Sequence, residues 1–488
     1  MSSPASSAAS PTAPPAAATW PARMVFAATL VGAAAIYFYH LGANSFGASE
    51  TYSALAASKP GVGAIVAIPI NYEPGKQLLY YVALHFWIAV TGISESGVRS
   101  MSAAFGLADV MLLFALGREL FDEETAAAAT LMWAFTPLAI AFSHRARTYT
   151  MFIALALAHF LLLWRARANR RTATAILSGV LGAALVCAHL AGVLIIGAEA
   201  AMLLRDLSLG RRNAKAWLAI AVALALWMPL APIVIAQSST LIQGQALDWI
   251  GSSAAAHGLA VKFAVAALAA AAGLWLVFGR SVELKRDEPI RWLFAWVALP
   301  VIAFEAGSIV FRPLFSLRYA APAMAAIVLF FAQTLALIST RVRNLTAVSI
   351  AALFLILTPF SLLPDQPWRK VARMVATSGS STEPIFFEAG FVSSSELPND
   401  GFPFGYYSVP FDFYFKGPNP RIVVPGYDPA AARATIQSRV AQAGGGWLIS
   451  WKGGDGATPE LPDPREFKST RELAEGYVTV FRIAPLAR

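Results

Sequence analysis

Two arginines lie close together between apolar stretches of the chain, in Ser143-His144-Arg145-Ala146-Arg147-Thr148-Tyr149. A guanidinium group is planar and matches the oxygens of a phosphate or a carboxylate with parallel hydrogen bonds. We therefore predict that Arg145 and Arg147 bind an anionic headgroup or a lipid phosphate. The alternative is that they only pair with Glu50, with Glu73 or with the phosphates of the bilayer.

Glu50 is the carboxylate that we single out as a candidate base. It lies in Ala48-Ser49-Glu50-Thr51-Tyr52, at the start of a predicted helix in the long loop between Gly42 and Arg99. Loops of this length are usually functional or disordered, and this one is too apolar for disorder. The alternative is that Glu50 only interacts with the positive end of its own helix.

Other polar residues fall where an apolar chain disfavours them. Arg318 and Tyr319 stand at the entry to a late apolar stretch, and His189 lies in the turn between two short ones. A lone histidine is more often a satisfied polar residue than a ligand, and for Asp109, which falls within a stretch, we favour a structural role. No spacing typical of a metal site or a phosphate-binding loop occurs, so we expect no cofactor. A divalent metal held by carboxylates from distant loops would leave no spacing signature.

The composition identifies the class of protein that must position these residues. Of 488 residues, 57% are hydrophobic and 13% are charged, and the mean hydropathy is +0.59. Soluble proteins carry about 25% charged residues, so a soluble enzyme, a disordered scaffold and a conventional nucleic-acid binder are excluded. The single cysteine, Cys187, forms no intramolecular disulfide and gives no information on redox compartment. The chain is therefore expected to be a polytopic membrane protein.

Eleven apolar stretches are predicted to cross the bilayer. With the N-terminus inside, almost every inside loop carries the excess of Lys and Arg that the positive-inside rule requires. The segment from Gln77 to Val90 is only about 14 residues long, which suits a helix lying in the interface. The basic residues that break the rule on the outside are Lys59, Lys76, Arg99, Arg145, Arg147, Arg312 and Arg318. The predicted spans are Met24–Leu41, Arg99–Gly117, Thr125–Phe142, Tyr149–Trp164, Thr172–Ala188, Ala191–Leu204, Ala216–Ala236, Leu259–Gly279, Trp292–Ile309, Tyr319–Ile338 and Leu345–Leu363.

Three regions follow from these patterns. Residues 1–22 are predicted to form a disordered tail on the inside, because they are almost entirely Ser, Ala, Pro and Thr. Residues 23–363 form the transmembrane region, with a long outside loop at 43–98, and residues 364–488 form an α/β domain outside. In that domain Phe411, Phe413 and Tyr414 either stack on a sugar or fill the core. Strands are predicted at Pro384–Glu388, Arg421–Pro425, Gly446–Trp451 and Tyr477–Ile483, and helices at Trp368–Thr377 and Pro429–Gln442.

From about Met24 to its end, the chain resembles the GT-C membrane glycosyltransferases of the protein O-mannosyltransferase and lipid A aminoarabinose transferase type. Each motif alone is weak, and their order and spacing together carry the resemblance. Ser49 to Leu55 is similar to the family's Asp-Glu segment after the first helix, and Lys76 to Tyr81 to the segment that opens an interfacial helix. Glu95 to Arg118, Ser143 to Tyr149 and Arg318-Tyr319 are similar to three further family motifs.

The resemblance implies an α-helical polytopic protein of the bacterial inner membrane, with about 11 transmembrane helices, interfacial helices and a C-terminal periplasmic α/β domain. The N-terminus is then cytoplasmic. The implied activity is transfer of a sugar from a polyprenyl-phosphate-linked donor to a lipid or cell-surface polysaccharide acceptor at the periplasmic face. The implied partners are this donor, the acceptor and membrane lipids, and no nucleic acid is expected to bind. The implied base is Glu50. The implied substrate-binding residues are Lys76, Tyr80, Arg145, Arg147, Tyr149, His189, Arg318 and Tyr319.

The chain departs from the family pattern at two charged positions. The family's first acidic residue is taken as the base, and here that position is Ser49, which is a much weaker base than a carboxylate near pH 7. Arg145 replaces a glutamate, and both prolines after Lys76 are lost. A second hypothesis is therefore a catalytically degenerate relative that binds lipid-linked sugar or a partner enzyme. A transporter is a third, although the two halves of the sequence contain no paired hydrophobic repeats.

Overall fold

The computed structural model describes residues 21–71, 78–168, 171–232, 287–310, 320–358, 366–388, 408–424, 429–450, 459–475 and 478–486. Apolar helices come first in the chain, and a small sheet with its own helices follows. The helices are α1 (Ala22–Phe38), α2 (Ala48–Ala57), α3 (Val62–Asn71), α4 (Leu78–Thr91), α5 (Glu95–Leu120), α6 (Glu123–Ala134), α7 (Pro137–Ser143), α8 (Tyr149–Ala168), α9 (Thr172–Ala188), α10 (Gly192–Ser208), α11 (Ala214–Trp227), α12 (Asp287–Val310), α13 (Ala321–Ile338), α14 (Thr340–Leu357), α15 (Trp368–Ser378), α16 (Val409–Tyr414) and α17 (Pro429–Ala443).

The apolar helices have the length and surface of membrane-crossing segments. In the described part of the chain, α5, α8, α13 and α14 are each long and apolar enough to cross a bilayer. Large apolar side chains on several helices point outward, such as Val31 at 71% exposed and Ile356 at 80%. Such side chains are stable against lipid and costly in water. The shorter apolar helices are α1, α4, α9 and α11 with its following turn to Leu230.

The predicted span Thr125–Phe142 is wrong as a single helix. It is divided into α6 and α7, which meet at an angle of 65°. Thr136 caps α7, because its hydroxyl accepts the N–H of Ala139 at 3.2 Å, and Pro137 occupies the first turn. A capping threonine followed by proline starts a new helix rather than continuing an old one.

Ion pairs fasten one end of the bundle, where the basic residues of the predicted inside loops collect. Arg165 at the end of α8 pairs with Glu119 at the end of α5, at 2.8 Å. Arg167 pairs with Asp206 of α10 at 2.7 Å and lies over the rings of Trp164 and Trp292. This end is called the basic face below.

The opposite end, called the α2 face, is formed by residues 41–71, α4 and the turn from Ser143 to Tyr149. Its three short helices share a core with the beginnings of α5 and α8, centred on buried Phe46, Tyr81 and Met101. Helices occur at both places in the long loop where the sequence predicted them, at α2 and at α4. Whether α4 lies in the interface stays a prediction.

The C-terminal α/β unit, residues 366–486, packs on the α2 face. Its strands are β1 (Ile385–Glu388), β2 (Arg421–Val424), β3 (Gly446–Ser450), β4 (Phe467–Glu475) and β5 (Val478–Pro485), in the order β2-β1-β3-β5-β4. Strand β1 is parallel to β2 and β3, whereas β5 is antiparallel to β3 and β4. Helix α15 packs on one side of the sheet and α17 on the other.

Most secondary-structure elements of this unit occur where they were predicted. Strand β4 and helix α16 were missed, because β4 is an edge strand with mostly polar, exposed residues and α16 has only six. The predicted tail up to residue 20, the predicted span Leu259–Gly279 and residues 311–319 lie outside the described residues. The span count and the three region boundaries therefore stay predictions.

Candidate functional site

Arg99, in the first turns of α5, organises the α2 face. Its side chain is almost fully buried, at 5% exposed. Its Nη1 donates to the carbonyl oxygens of Leu41 at 2.7 Å and Asn44 at 2.8 Å, and its Nη2 donates to that of Ser45 at 2.9 Å. Nε and Nη2 bind the carboxylate of Glu50 at 2.9 and 2.8 Å. All five N–H groups of the guanidinium are thus used, and they fix the turn that leads into α2.

Glu50 receives hydrogen bonds from three separate elements. Besides Arg99, its Oε1 accepts the N–H of Ala146 at 2.9 Å, and its Oε2 accepts the N–H of Gly47 at 3.0 Å. Ala146 lies between the two arginines of the Ser143–Tyr149 turn. The Glu50 carboxylate therefore joins α2, α5 and the turn that carries Arg145 and Arg147.

These contacts determine the protonation of Glu50. Burial alone would raise the pKa of its carboxyl, but the Arg99 charge and the hydrogen bonds from Arg99, Ala146 and Gly47 outweigh burial and lower the pKa below the ordinary value of 4.5. Glu50 is thus ionised, and each oxygen already accepts two hydrogen bonds. A general base must reach the proton that it removes, so this geometry favours a structural role, and its role as the base stays a prediction.

Ser49 and Arg147 meet at the accessible start of α2. Ser49 is exposed, whereas the neighbouring Glu50 points inward. The Nη1 of Arg147 donates to the carbonyl oxygen of Ser49 at 3.2 Å and to the hydroxyl of Ser53 at 3.3 Å. Arg145 is half-buried in the same turn. A hydroxyl and the Arg147 guanidinium thus lie together at one helix N-terminus, where the helix dipole also favours an anion.

Three other predicted binding residues lie behind this surface. Tyr80 is completely buried, and its hydroxyl contacts the Ser102 hydroxyl at 3.3 Å, which in turn donates to the carbonyl of Arg147 at 3.3 Å. Tyr149 is 4% exposed and packs on Phe142.

His189 is also buried, at 7% exposed. Its ring packs against Phe152, and its Nδ1 accepts the N–H of Ala191 at 3.1 Å. Tyr80, Tyr149 and His189 thus support the arginine turn or the helix behind it, and their predicted contact with substrate stays a prediction. Lys76, Arg318 and Tyr319 lie outside the described residues.

Sequence reasoning missed the two residues that define the geometry. Arg99 carried a signal, because it was one of the few arginines that broke the positive-inside rule. Ser49 was treated as a lost carboxylate, yet it is the exposed member of the Ser49-Glu50 pair. Among the described residues no group of three His, Cys, Asp or Glu side chains is placed to hold a metal ion, and metal dependence stays untested.

The chain matches the family model of the dolichyl-phosphate-mannose-protein mannosyltransferases over residues 76–233. No curated protein matches its sequence. The matched range includes α4 to α11, and with them Arg99, Arg145 and Arg147.

Solved structures share the fold across most of the chain. ArnT from Cupriavidus metallidurans, bound to undecaprenyl phosphate, is 13% identical with a TM-score of 0.54, covering 94% of this chain and 97% of ArnT. The Archaeoglobus fulgidus oligosaccharyltransferase with zinc and sulfate is 13% identical with a TM-score of 0.52, covering 87% and 67%. The archaeal oligosaccharyltransferase AglB, with an inhibitory peptide and dolichol-phosphate, is 12% identical with a TM-score of 0.51, covering 88% and 70%.

At these identities the likeness shows the fold alone. The fold and the family model agree, and the resemblance to the GT-C membrane glycosyltransferases is confirmed. The chain is accordingly a mostly helical integral membrane protein with the architecture of glycosyltransferases.

Proposed function

We propose that this protein is a glycosyltransferase of the bacterial inner membrane that moves a sugar from a polyprenyl-phosphate donor to a lipid or cell-surface glycan acceptor. The carrying observation is the contact between Arg147 and the exposed start of α2 at Ser49. Relatives in fold support the donor class, because one structure holds undecaprenyl phosphate and another holds dolichol-phosphate. The active site would then lie on the α2 face, which would be periplasmic.

In this proposal the arginines stabilise the leaving group. The acceptor oxygen forms a bond to the anomeric carbon with inversion, and the bond from that carbon to the phosphate oxygen breaks. The electron pair leaves on polyprenyl phosphate, whose developing charge Arg147 and Arg145 would neutralise. The acceptor proton passes to water at the exposed start of α2. Ser49 would orient the acceptor hydroxyl, and Glu50 would keep Ser49 and Arg147 in their relative positions.

A second candidate is a relative that binds lipid-linked sugar without transferring it. The observation that favours it is the environment of Glu50, whose oxygens already accept four hydrogen bonds while serine occupies the family's base position. The two candidates share the anion site at Arg147. They differ only in whether a bond to the sugar is made.

Transfer from radiolabelled polyprenyl-phosphate sugars, measured in membranes, tests both candidates. Arg147→Ala is compared with Arg165→Ala, the same change at the other end of α8, where Arg165 pairs with Glu119 on the basic face. We expect transfer in the native chain and in Arg165→Ala, and a loss of at least about tenfold in Arg147→Ala. Restoring a carboxylate with Ser49→Asp should increase the rate.

The outcomes distinguish the glycosyltransferase from the relative that only binds lipid-linked sugar. Absence of transfer, together with polyprenyl phosphate binding that Arg147→Ala abolishes, would establish the binding relative. If the native chain neither transfers sugar nor binds polyprenyl phosphate, both candidates fail and only the fold assignment remains.

A further inference from the structure

The backbone segment from Leu41 to Ala48 leads into α2 and carries Ser49 at its end. Arg99 takes the carbonyl oxygens of Leu41, Asn44 and Ser45 from the side of the helix bundle. Buried backbone N–H groups need partners as much as carbonyl groups do. In this segment the partners of two N–H groups come from the C-terminal α/β unit.

Tyr414, at the end of α16, provides the first of these partners. Its hydroxyl accepts the N–H of Phe46 at 2.7 Å and donates to Oε1 of Glu95 at 2.7 Å. A phenolic hydroxyl can donate and accept at the same time, and burial, followed by its hydrogen bond to Glu95, raises the pKa of Tyr414 further above its ordinary value. Tyr414 therefore connects the segment before α2 to the first turn of α5.

Gln366 provides the second partner, just before α15. Its Oε1 accepts the N–H of Ala48 at 3.3 Å and the indole N–H of Trp368 at 3.0 Å. The N–H of Ala48 is one of those that a helix start leaves without an internal partner. A Cβ at Gly47 would lie 3.2 Å from the same oxygen, so a larger residue there would push the Gln366 side chain back by a few tenths of an ångström.

Arg369 adds contacts to the same segment. Its backbone N–H donates to the hydroxyl of Ser45 at 3.0 Å, and its guanidinium donates to the carbonyl of Gly42 at 3.3 Å and pairs with Glu95. Arg369 and Tyr414 thus converge on the same carboxylate. The C-terminal unit thus binds three backbone groups of this segment, at Gly42, Phe46 and Ala48, and the side chain of Ser45.

The aromatic residues around Tyr414 belong to the same junction. Phe411 is completely buried in the core of the C-terminal unit, and the ring of Phe413 meets that of Phe46 edge to face at 5.3 Å. The predicted core packing is confirmed for Phe411, whereas Phe413 and Tyr414 contact the α2 face, a use that was not predicted.

We infer that the C-terminal α/β unit is the positioning element of the Ser49 site, acting through Gln366, Arg369 and Tyr414. The inference rests on the function proposed above for that site. The three residues touch neither donor nor acceptor in this scheme. They hold the start of α2, and thereby the Ser49 carbonyl that Arg147 binds, and a misplacement of about 1 Å at such a site can cost up to about a hundredfold in rate.

The kinetic test compares Tyr414→Phe and Arg369→Ala with Arg373→Ala. Arg373 lies one turn further along α15 and is exposed, which makes it a matched control for Arg369. A positioning role predicts a kcat lowered on the order of tenfold in both test variants, with the KM for the acceptor unchanged and Arg373→Ala at the native rate. A raised acceptor KM at native kcat would assign these residues to acceptor binding and overturn the inference.

A labelling test works without transfer activity. Ser49→Cys is introduced with Cys187→Ala, so that the only thiol is at position 49, and its reaction rate with a membrane-impermeant maleimide is measured in intact cells or oriented vesicles. Adding Tyr414→Phe or Gln366→Ala should change that rate several-fold, whereas Arg373→Ala should leave it unchanged. Identical labelling rates in all backgrounds would overturn the inference.

The two readouts separate the two proposals. If the native chain transfers no sugar, the proposed function fails and the labelling rates still decide whether the C-terminal unit holds the start of α2. If transfer occurs and is unaffected by Tyr414→Phe and Arg369→Ala, the function stands and the positioning role is wrong.

Discussion

Two buried carboxylates, Glu50 on the α2 face and Glu199 within the helix bundle, are both paired with a basic side chain, but they fasten different structures. Glu50 pairs with Arg99, which also binds three backbone carbonyls. Glu199 of α10 contacts Nε2 of His159 at 2.7 Å and accepts the indole N–H of Trp296 at 3.1 Å. The first pair holds irregular backbone, and the second holds regular helices together.

The hydrogen bonds of His159 determine how many protons the His159–Glu199 pair carries. His159 Nδ1 lies 2.7 Å from the carbonyl oxygen of Ser178, which can only accept, so Nδ1 carries hydrogen. The contact between Nε2 and Glu199 then holds one shared proton, and the pair is neutral as a whole. Both side chains are fully buried. A neutral pair that links α8, α9, α10 and α12 suits the interior of a membrane protein, where net charge is costly.

The largest expected effect is that of Arg99→Ala. The change leaves the Glu50 carboxylate buried without its cation and removes the donors of three carbonyls, and breaking a buried pair costs about 3–5 kcal/mol. We expect a large fall in unfolding temperature in detergent, followed by tryptophan fluorescence, and loss of sugar transfer. Arg99→Lys keeps the charge without the planar fork and should fall between Ala and native. Native-like unfolding of Arg99→Ala would show that the turn before α2 is held by other contacts.

The second expected effect distinguishes the two pairs directly. His159→Leu alone should destabilise the protein by about 1–3 kcal/mol, because it leaves the Glu199 oxygen that faces Nε2 buried without a hydrogen-bond partner. The double variant His159→Leu with Glu199→Met removes both polar groups and should be less destabilised than the single one. The corresponding double change at Arg99 and Glu50 should show no such recovery, since the carbonyls of Leu41, Asn44 and Ser45 remain without donors. Thermal unfolding of all four variants in one detergent measures the contrast, and equal recovery at both pairs would contradict it.

The acid response sharpens the same comparison. Because the pKa of Glu50 is lowered in the folded state, its ionised form adds stability that is fully present above the unfolded value of 4.5 and is lost as pH falls through the folded value. At pH 7 the native chain should therefore unfold at a higher temperature than Glu50→Gln. This difference should shrink below about pH 4.5, and a difference independent of pH down to pH 3 would assign it to shape rather than charge.

The sequence predicts the helix bundle better than it predicts the contacts on the α2 face. The helices follow from runs of apolar residues. The break between α6 and α7 was missed, although Thr136-Pro137 is a helix-start signal from which it could have been predicted. The unusual placement of Arg99 was visible in the sequence as an exception to the positive-inside rule. The partners of Glu50 were not, because Arg99, Ala146 and Gly47 are brought together by the packing of α2, α5 and α8 rather than by any spacing. The same holds for Gln366 and Tyr414, which reach the site from the far end of the chain.

The smallest expected effect concerns Asp109, another buried carboxylate of the helix bundle. It lies within α5 at 2% exposed, and within the described part of the chain its Oδ1 has no hydrogen-bond partner. Asp109→Asn therefore removes no hydrogen bond of that oxygen, and it takes an ionisable group out of a helix that is long and apolar enough to cross a membrane. We expect a stability within about 0.5 kcal/mol of native and unchanged transfer, measured as for Arg99→Ala. A loss of transfer of about tenfold at unchanged stability would give Asp109 a functional role.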